Sequence, residues 1–298
     1  MSSMLLATII LFASFILLLV LGTPIAIAIG ASSFLTALTL ASFDTILFPV
    51  TQKMFSGLDA FAFLAIPFFI LSGNIMNKGG IAVRLVDLAQ LIVGRLPGSL
   101  AATNVVANMF FGAISGSSIA ASAAIGGIMT PLEEKAGYNK GFSATVNACS
   151  APTGILIPPS GPLILFSLVS GGTSIAALFV AGYIPGILMG LAVIIVAVYY
   201  AKKLKYPTQK GIAFNEKIRI ILRALPSLSL VIVVIGGIIA GVFTATEGAA
   251  IAVVYSFVLA AIYRQMKLKD VPFVLGEALK NSAMVLFLIA TSGIMAWV

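Results

Sequence analysis

Long apolar segments with almost no charge restrict the folding of this chain more than any other feature. Seven of them reach roughly the length of a membrane-crossing helix, ~20 residues. They cover 4–40, 60–77, 99–132, 140–170, 173–201, 226–264 and 281–298. Charged residues make up 9% of the sequence and hydrophobic residues 60%, whereas about a quarter of a typical soluble domain is charged. We therefore expect an all-α polytopic membrane protein.

The composition also argues against an enzyme. The sequence has no histidine, which removes the commonest general base and the commonest neutral metal ligand. Its single cysteine, Cys149, cannot form an intrachain disulfide or, alone, a zinc or iron–sulfur site. The net charge of +8 is typical of the basic cytoplasmic loops of membrane proteins, so we expect no nucleic-acid partner.

Two basic clusters predict the orientation of the second half. The first contains Lys202, Lys203, Lys205, Lys210, Lys217, Arg219 and Arg223, and the second contains Arg264, Lys267, Lys269 and Lys280. By the positive-inside rule both clusters are cytoplasmic. The segment 226–264 is then a pair of helices that turns near Thr244 to Gly248 on the opposite face, and 173–201 runs from outside to inside.

Shorter segments are expected to lie along the membrane or to connect its spans. The pieces 208–223 and 270–281 are short and amphipathic, which favours an interfacial position. The segment 80–94 suits an interfacial arm or connector better than a full span. The first apolar segment is divided at Gly22-Thr23-Pro24. Because it lacks the basic start of a signal peptide, we expect it to be a retained membrane helix.

The segment from Pro97 to Leu132 predicts a re-entrant helical hairpin with its tip at Ser115-Gly116-Ser117-Ser118. Each arm measures about 20–25 Å at ~1.5 Å per residue, less than a full crossing with headgroups. A backbone turn within hydrocarbon must line a cavity or be buried in protein. Ser115 is expected to cap the second arm, which Pro131 closes, and the N–H groups at that helix start suit an anion. A packing surface of small residues is the alternative.

The run from Ala151 to Pro162 predicts an unwound segment inside the next apolar stretch. Four prolines and two glycines lie within these twelve residues, and each proline lacks an N–H and clashes with the carbonyl four residues back. Carbonyl groups released from helical bonding are suited to an alkali cation. An ordinary loop at the membrane surface is the alternative.

Two discontinuous elements of this kind are the expected binding site of a secondary transporter. All nine carboxylates lie in or beside loops or at a turn in the sequence pattern, Glu133 and Glu247 among them. A carboxylate proton relay within the membrane therefore has no obvious carrier, and we expect sodium held by neutral oxygens to be the coupling ion.

At these motifs the sequence resembles the DctM-type large membrane subunit of tripartite ATP-independent periplasmic (TRAP) transporters. The matching pieces include Leu64-Ala65-Ile66-Pro67-Phe68-Phe69, Ile114-Ser115-Gly116-Ser117-Ser118-Ile119-Ala120, Gly137-Tyr138, Ile157-Pro158-Pro159-Ser160, Leu178-Phe179-Val180-Ala181-Gly182 and Pro185-Gly186. A later run, Gly241-Val242-Phe243-Thr244-Ala245-Thr246-Glu247, has alanine where the family usually has proline. The resemblance covers essentially the whole chain.

The resemblance implies an elevator-type, sodium-coupled symporter of the bacterial or archaeal inner membrane. It would take an organic acid, such as a C4-dicarboxylate, sialic acid or sugar acid, from a periplasmic binding protein, with a small membrane subunit beside it. The implied sodium ligands are Ser115, Ser117, Gly154, Ile157 and Pro159. The implied substrate contacts are Ser117, Ser118, Pro158 and Ser160. Residues 97–170 would form the moving part, and 1–77 and 226–264 mainly the scaffold.

In the family a second, inverted repeat follows the first. Because the sequence stops at Val298 inside an apolar run, we expect residues 1–298 to be a single TRAP large-permease domain that lacks most of that repeat. A second sodium site and a substrate-binding arginine would belong to the missing part. Two other functions stay open: an elevator dicarboxylate/sodium symporter without a binding protein, and a membrane scaffold subunit with no site of its own.

Overall fold

A computed structural model describes residues 3–208 and 213–298, and within these ranges the regular elements are helices. In chain order they are α1 (Ser3–Val20), α2 (Ile25–Leu40), α3 (Phe43–Ser56), α4 (Ala65–Lys78), α5 (Ile81–Val93), α6 (Ser99–Ser115), α7 (Ser118–Lys135), α8 (Lys140–Ser150), α9 (Thr153–Leu156), α10 (Gly161–Val169), α11 (Ile175–Lys203), α12 (Phe214–Ile239), α13 (Ala245–Tyr263) and α14 (Val271–Trp297). Short 3-10 turns, Phe61–Leu64 and Leu268–Asp270, lead into α4 and α14. The predicted all-α architecture is confirmed.

Within the described residues, five helical stretches are long and apolar enough to cross a membrane. They are Phe61–Lys78, Ile175–Lys203, Phe214–Ile239, Ala245–Tyr263 and Leu268–Trp297. A sixth span results if Lys140–Leu156 and Gly161–Val169, which are bent by 45° at a break, are taken together. The remaining apolar helices, α1, α2 and α6, are shorter. These lengths support a polytopic membrane protein.

Several predicted breaks coincide with observed helix ends. Gly22 adopts a φ of +78°, between α1 and α2. The tip predicted near Ser115 separates α6 from α7, and the turn predicted near Thr244 separates α12 from α13. At that turn Thr244 Oγ1 accepts a hydrogen bond from Glu247 N at 3.2 Å, and Glu247 Oε2 accepts one from Thr244 N at 2.8 Å. This capping box explains why α13 begins there.

The predicted end of the second hairpin arm is wrong. α7 continues through Pro131 to Lys135. A proline removes one N–H donor and disturbs the carbonyl four residues back, here that of Gly127, but the following residues keep their own donors. The helix ends instead where Gly137 takes a φ of +83° and Tyr138 N donates to the Glu133 carbonyl at 2.9 Å.

The two amphipathic pieces are not separate interfacial elements. The described part of 208–223 is the start of α12, and most of 270–281 is the start of α14. Pro226 lies inside α12 without ending it, as prolines do in membrane helices whose neighbours compensate the lost bond. Pro272 stands in the first turn of α14, where no intrahelical donor is needed. Lys210 of the first basic cluster lies outside the described residues.

Two compact units make up the structure, and the first consists of residues up to Phe63 together with Leu279–Val298. Within it α1 packs along α2. Glycines permit close backbone approaches to α14. A Cβ added at Gly30 would lie 3.0 Å from Thr291 Cγ2, and one at Gly293 would lie 2.9 Å from the Lys53 carbonyl oxygen. Small residues of this kind let membrane helices pack tightly.

The second unit, Leu64–Ala278, is built around α6. Every residue of α6 except Met109 and Phe110 is buried, and this helix contacts α5, α7, α8, α9 and α11. α5, which we expected to be an interfacial arm or connector, packs against α6 and α12. α4 packs against α13. The contacts of α6 place the hairpin tip against protein on one side, where Gly116 and Ser117 are half-buried.

Candidate functional site

The hairpin tip consists of two residues between α6 and α7. Gly116 follows the last residue of α6 with a φ of +62°, and Ser117 is extended with φ −137° and ψ 120°. Only glycine adopts a left-handed conformation without a steric cost from Cβ. The Gly116 N–H still bonds to the Gly112 carbonyl at 2.8 Å, so the reversal of the chain leaves the end of α6 intact.

The residue that caps α7 is Ser117, not Ser115 as predicted. Ser117 Oγ accepts a hydrogen bond from Ala120 N at 3.3 Å. Ser115 still belongs to α6, because the left-handed turn comes one residue later, and its hydroxyl donates to the Ser117 carbonyl at 3.4 Å. Ser115 is buried and packs on Gly73 of α4, where an added Cβ would lie 2.9 Å from Ser115 Cβ.

The second break is shorter than predicted. α8 ends at Ser150, a helical turn forms at α9, and the extended stretch runs from Ile157 to Ser160 before α10 begins. Pro152 does not prevent the turn, because it precedes α9 and a helix start needs no N–H there. Ile157 N closes α9 with a 2.9 Å bond to the Thr153 carbonyl.

Prolines deprive carbonyl groups near this break of their helical partners. In an α-helix each carbonyl accepts from the N–H four residues later. For Gly154 that residue is Pro158, and for Ile155 it is Pro159. Neither proline has an N–H to donate. These carbonyl oxygens therefore remain available as ligands, which fits the chemistry that the sequence suggested for a cation.

The two breaks lie against each other. A Cβ added to Gly116 would be 2.7 Å from the Pro159 carbonyl oxygen. One turn earlier, a Cβ on Gly112 would be 2.1 Å from Gly154 Cα. Glycine is needed at both positions because the backbones approach too closely for a side chain. The structure thus brings the tip of the hairpin to the segment that carries the freed carbonyls.

The remaining predicted site residues have more varied surroundings. Ile157 is buried, and its side chain faces α11, where a Cβ on Gly186 would lie 2.5 Å from Ile157 Cγ1. Ser160 is fully buried, and its hydroxyl accepts from Leu163 N at 3.3 Å. Pro158 is buried, and Ser118 is half-buried at the first position of α7.

Serine caps begin both of the helices that follow the breaks. Ser117 and Ser160 have nearly the same backbone angles, φ −137° and −135°, and each accepts one bond at 3.3 Å from the N–H three residues later. The first N–H groups of α7 and α10 have no acceptor within their own helix. Each start carries about half a positive charge, so the site can attract an anion without a charged side chain.

An apolar cavity adjoins the contact of the two breaks. Its lining includes Ala113 and Ile114 from α6, Pro159 from the second break, and apolar side chains from three further helices. Those side chains are Phe69 of α4, Leu230, Val231, Val234 and Ile235 of α12, and Ala252 of α13. The walls of the site on this side are therefore hydrophobic.

A buried chain of amides, which the sequence reasoning did not assign to the site, connects α6 to α7 and α8. Asn108 Nδ2 lies 2.8 Å from Asn104 Oδ1, 3.0 Å from Asn147 Oδ1 and 2.9 Å from Ser150 Oγ. Asn147 Nδ2 donates to the Ser122 carbonyl of α7 at 3.0 Å. The signal in the sequence was the four-residue spacing of two asparagines within an apolar helix, which places both on one face.

One carboxyl group belongs to the same chain. Asn104 Nδ2 donates to Glu133 Oε1 at 3.2 Å, and Glu133 has no exposed surface. The sequence pattern placed this residue beside a loop. It is buried because α7 runs one turn further than predicted and its last turn packs against α6 and α8.

Aromatic rings fix the base of the hairpin. The rings of Tyr138 and Tyr206 stack with centroids 4.1 Å apart, and Tyr206 Oη accepts a hydrogen bond from Asn139 N at 2.9 Å. Tyr138 is buried in the loop between α7 and α8, and burial raises the pKa of Tyr138 to about 12. The phenol is therefore neutral at physiological pH, and the loop is tied to the segment after α11.

Comparison with known proteins gives a family match over nearly the whole chain. Residues 12–298 match the family described as the DctM component of the tripartite ATP-independent periplasmic transporter. Among curated relatives, the chain is 53% identical over 289 residues to YgiK of Salmonella typhimurium (strain LT2), an uncharacterized protein, with 97% of this chain and 66% of the relative covered.

Two further relatives have names that state a transported substrate. The chain is 35% identical to the C4-dicarboxylate TRAP transporter large permease protein DctM of Rhodobacter capsulatus, covering 96% of this chain and 68% of the relative. It is 37% identical to the 2,3-diketo-L-gulonate TRAP transporter large permease protein YiaN of Escherichia coli (strain K12), covering 93% of this chain and 65% of the relative. The chain thus spans about two thirds of the length of these relatives.

Proposed function

Because the chain belongs to the DctM component family of the tripartite ATP-independent periplasmic transporters, we propose that it works as the permease of a sodium-coupled symporter that imports an organic acid. As a family member whose described residues include five candidate spans, it is a multi-pass protein of the inner membrane. The contact of Gly116 with Pro159 carries the proposal, since it brings a hairpin tip and a broken helix together. Discontinuous helices that meet in this way are typical of the binding sites of secondary transporters.

Sodium would be held by neutral oxygens at this contact. The proposed ligands are Ser115 and Ser117 at the tip and the carbonyls of Gly154, Ile157 and Pro159. Support comes from the prolines that leave the Gly154 carbonyl without a helical partner and from the position of the Pro159 carbonyl against the tip. Carbonyl oxygens of an unwound helix coordinate sodium in other secondary transporters.

The organic acid would be recognised by its carboxylate. The proposed contacts are Ser117, Ser118, Pro158 and Ser160, around the starts of α7 and α10. Free N–H groups and the partial positive charge at those starts favour a negative group. The substrates named for the two relatives, a C4-dicarboxylate and 2,3-diketo-L-gulonate, are both carboxylic acids, so we infer this class for the chain.

Transport would follow an elevator mechanism with partner proteins. Residues 97–170 would move as one body, which the buried amide chain between α6, α7 and α8 would keep rigid. Residues 1–77 and 226–264 would belong mainly to the scaffold. A periplasmic binding protein would deliver the organic acid, and a small membrane subunit would stand beside the permease.

The test is uptake of a labelled organic acid into vesicles that contain the permease with its small subunit and binding protein. An inward sodium gradient should drive uptake, and a proton gradient without sodium should not. Ser117→Ala should raise the sodium concentration needed for half-maximal uptake, whereas Gly127→Ala, at an open position of the same helix, should leave it unchanged.

Three results would contradict parts of the proposal. Uptake driven by a proton gradient alone would exclude sodium coupling. Uptake that does not need the binding protein would favour the alternative function, an elevator dicarboxylate/sodium symporter that works without a binding protein. Transport that is unchanged by both Ser117→Ala and Pro159→Ala would favour a scaffold without a site of its own.

A further inference from the structure

Glu133, in the last turn of α7, has a carboxyl group that is buried away from solvent. Its side chain has 0% exposed surface. Oε1 accepts one hydrogen bond, from Asn104 Nδ2 at 3.2 Å, and Oε2 accepts none. The Ser143 hydroxyl of α8 lies beside the same carboxyl and is also buried without a hydrogen-bond partner. An ionised carboxylate in such surroundings is poorly compensated.

The charged groups of neighbouring elements are engaged elsewhere or exposed. Glu134, the adjacent residue, pairs with Lys140 of α8 at 3.5 Å. From α5, Arg84 lies over the Tyr263 ring at 3.4 Å. From α4, Lys78 pairs with Asp270 at 3.8 Å. None of these cations neutralises Glu133.

The other ionisable groups near the hairpin base do not supply a counter-charge to Glu133 either. Lys135 at the end of α7 is exposed, as are Lys202 and Lys203 at the end of α11. Tyr138 faces Glu133 from the following loop and is neutral. Among residues 3–208 and 213–298, no lysine or arginine nitrogen lies within 4.0 Å of the Glu133 carboxyl. Leaving a buried carboxylate without a counter-charge is strongly unfavourable, and such a group neutralises instead.

Buried hydrogen bonds connect Glu133 to the start of α9, the helical turn that precedes the second break. Asn104 links the carboxyl to Asn108, whose Nδ2 lies 2.9 Å from Ser150 Oγ. The Ser150 carbonyl accepts from Thr153 Oγ1 at 2.7 Å, at the start of α9. A change in the charge of Glu133 therefore acts on groups that hold α6, α8 and the start of α9 in place.

We propose that Glu133 is a proton-binding site, which holds its proton at neutral pH and whose deprotonation loosens the base of the hairpin. Protonation forms one O–H bond on the carboxyl with a proton taken from water, and it changes the charge of the side chain from −1 to zero. The new hydroxyl lies beside Ser143 Oγ, which offers it an acceptor. The site differs from the proposed sodium ligands, and it does not rest on the proposed transport function.

Infrared spectroscopy of the purified full chain in detergent tests the protonation state directly, because protonated and ionised carboxyl groups absorb at different frequencies. We expect a protonated carboxyl signal at pH 7 that is absent from Glu133→Gln. The matched control, Glu134→Gln, removes the adjacent exposed carboxylate and should keep the signal. The proposal is overturned if the signal persists in Glu133→Gln, or if adding sodium at constant pH abolishes it in the unaltered chain.

Thermal unfolding across pH provides a second readout. An unfolded glutamate releases its proton near pH ~4.3, whereas the folded chain would keep it to higher pH. Over that interval unfolding releases a proton, so stability is full at low pH and is lost as the pH rises. We expect the midpoint of Glu133→Gln, relative to the unaltered chain, to rise by about 2–4 °C between pH 5 and pH 8. If the unfolding midpoints of the variant and the unaltered chain change in parallel with pH, the proposal is refuted. Glu133→Met replaces Glu133→Gln in this test if the glutamine variant does not fold.

Discussion

Gly116 of the hairpin tip lies directly against the Pro159 carbonyl of the second interrupted helix. A Cβ on Gly116 would stand 2.7 Å from the Pro159 carbonyl oxygen, and Gly116 itself has a φ of +62°. Both the conformation and the space at this position therefore exclude a side chain. The contact fixes the distance between the hairpin tip and the carbonyls of the second break.

Gly116→Ala should weaken both the fold and the proposed sodium site. A left-handed conformation costs an alanine ~1–2 kcal/mol, and the added methyl group pushes the Pro159 carbonyl away. We expect the sodium concentration for half-maximal uptake to rise about tenfold, which corresponds to ~1.4 kcal/mol. Vesicle uptake as a function of sodium measures this, and Gly127→Ala on α7 is the control. An unchanged sodium dependence in Gly116→Ala would show that the tip does not hold the ion.

Gly112→Ala should separate α6 from α9. The added Cβ would fall 2.1 Å from Gly154 Cα, so the two backbones have to move apart. Overpacking of this kind costs ~1–3 kcal/mol, and the midpoint of thermal unfolding, followed by circular dichroism, should fall. Gly236→Ala, at an open and exposed position of α12, should not lower the midpoint. Equal behaviour of the two variants would contradict the close approach.

Ser117→Ala should remove the cap of α7 and a proposed sodium ligand together. Loss of a serine cap costs ~0.5–2 kcal/mol, and Ser117→Thr, which keeps a hydroxyl, should restore most of it. Ser174 caps α11 with a bond of the same 3.3 Å length, so Ser174→Ala is a matched control. Both alanine variants should lower the unfolding midpoint, but only Ser117→Ala should change the sodium dependence of uptake. A similar sodium effect in Ser174→Ala would assign the change to general instability.

Tyr206 should stabilise the base of the hairpin mainly through its ring. Tyr206→Phe loses the bond from Asn139 N but keeps the stack on Tyr138. We expect it to cost about 1 kcal/mol. Tyr206→Ala loses the stack as well, worth a further ~0.5–1.5 kcal/mol besides the buried area. The unfolding midpoints of the two variants, measured side by side, show how much the ring stack adds to the contribution of the hydrogen bond. An equal loss in both would mean that the stack contributes nothing.

Local sequence patterns predicted the helices and the places where they break. The apolar segments, Gly22 before Pro24, the Ser-Gly-Ser tip and the proline-rich run each restrict the backbone within a few residues, so no distant contact is needed to place them. The predictions were wrong where the sequence pattern indicated a helix end but the packed helix continued through it. Pro131 and Pro226 lie inside helices that continue, and the serine that caps α7 was displaced by two positions because Gly116, not Ser115, makes the turn.

The sequence by itself determined that this chain is a helical membrane protein with two interrupted elements and with no carboxylate placed in the interior of a predicted span. Only the tertiary structure decided that Gly116 meets Pro159, that Gly112 meets Gly154, and that Glu133 lies buried against Asn104. The physical reason is the range of the interactions. Helix formation and its interruption by glycine and proline act between neighbours along the chain, whereas close backbone contacts and the burial of a carboxyl depend on which helices pack together.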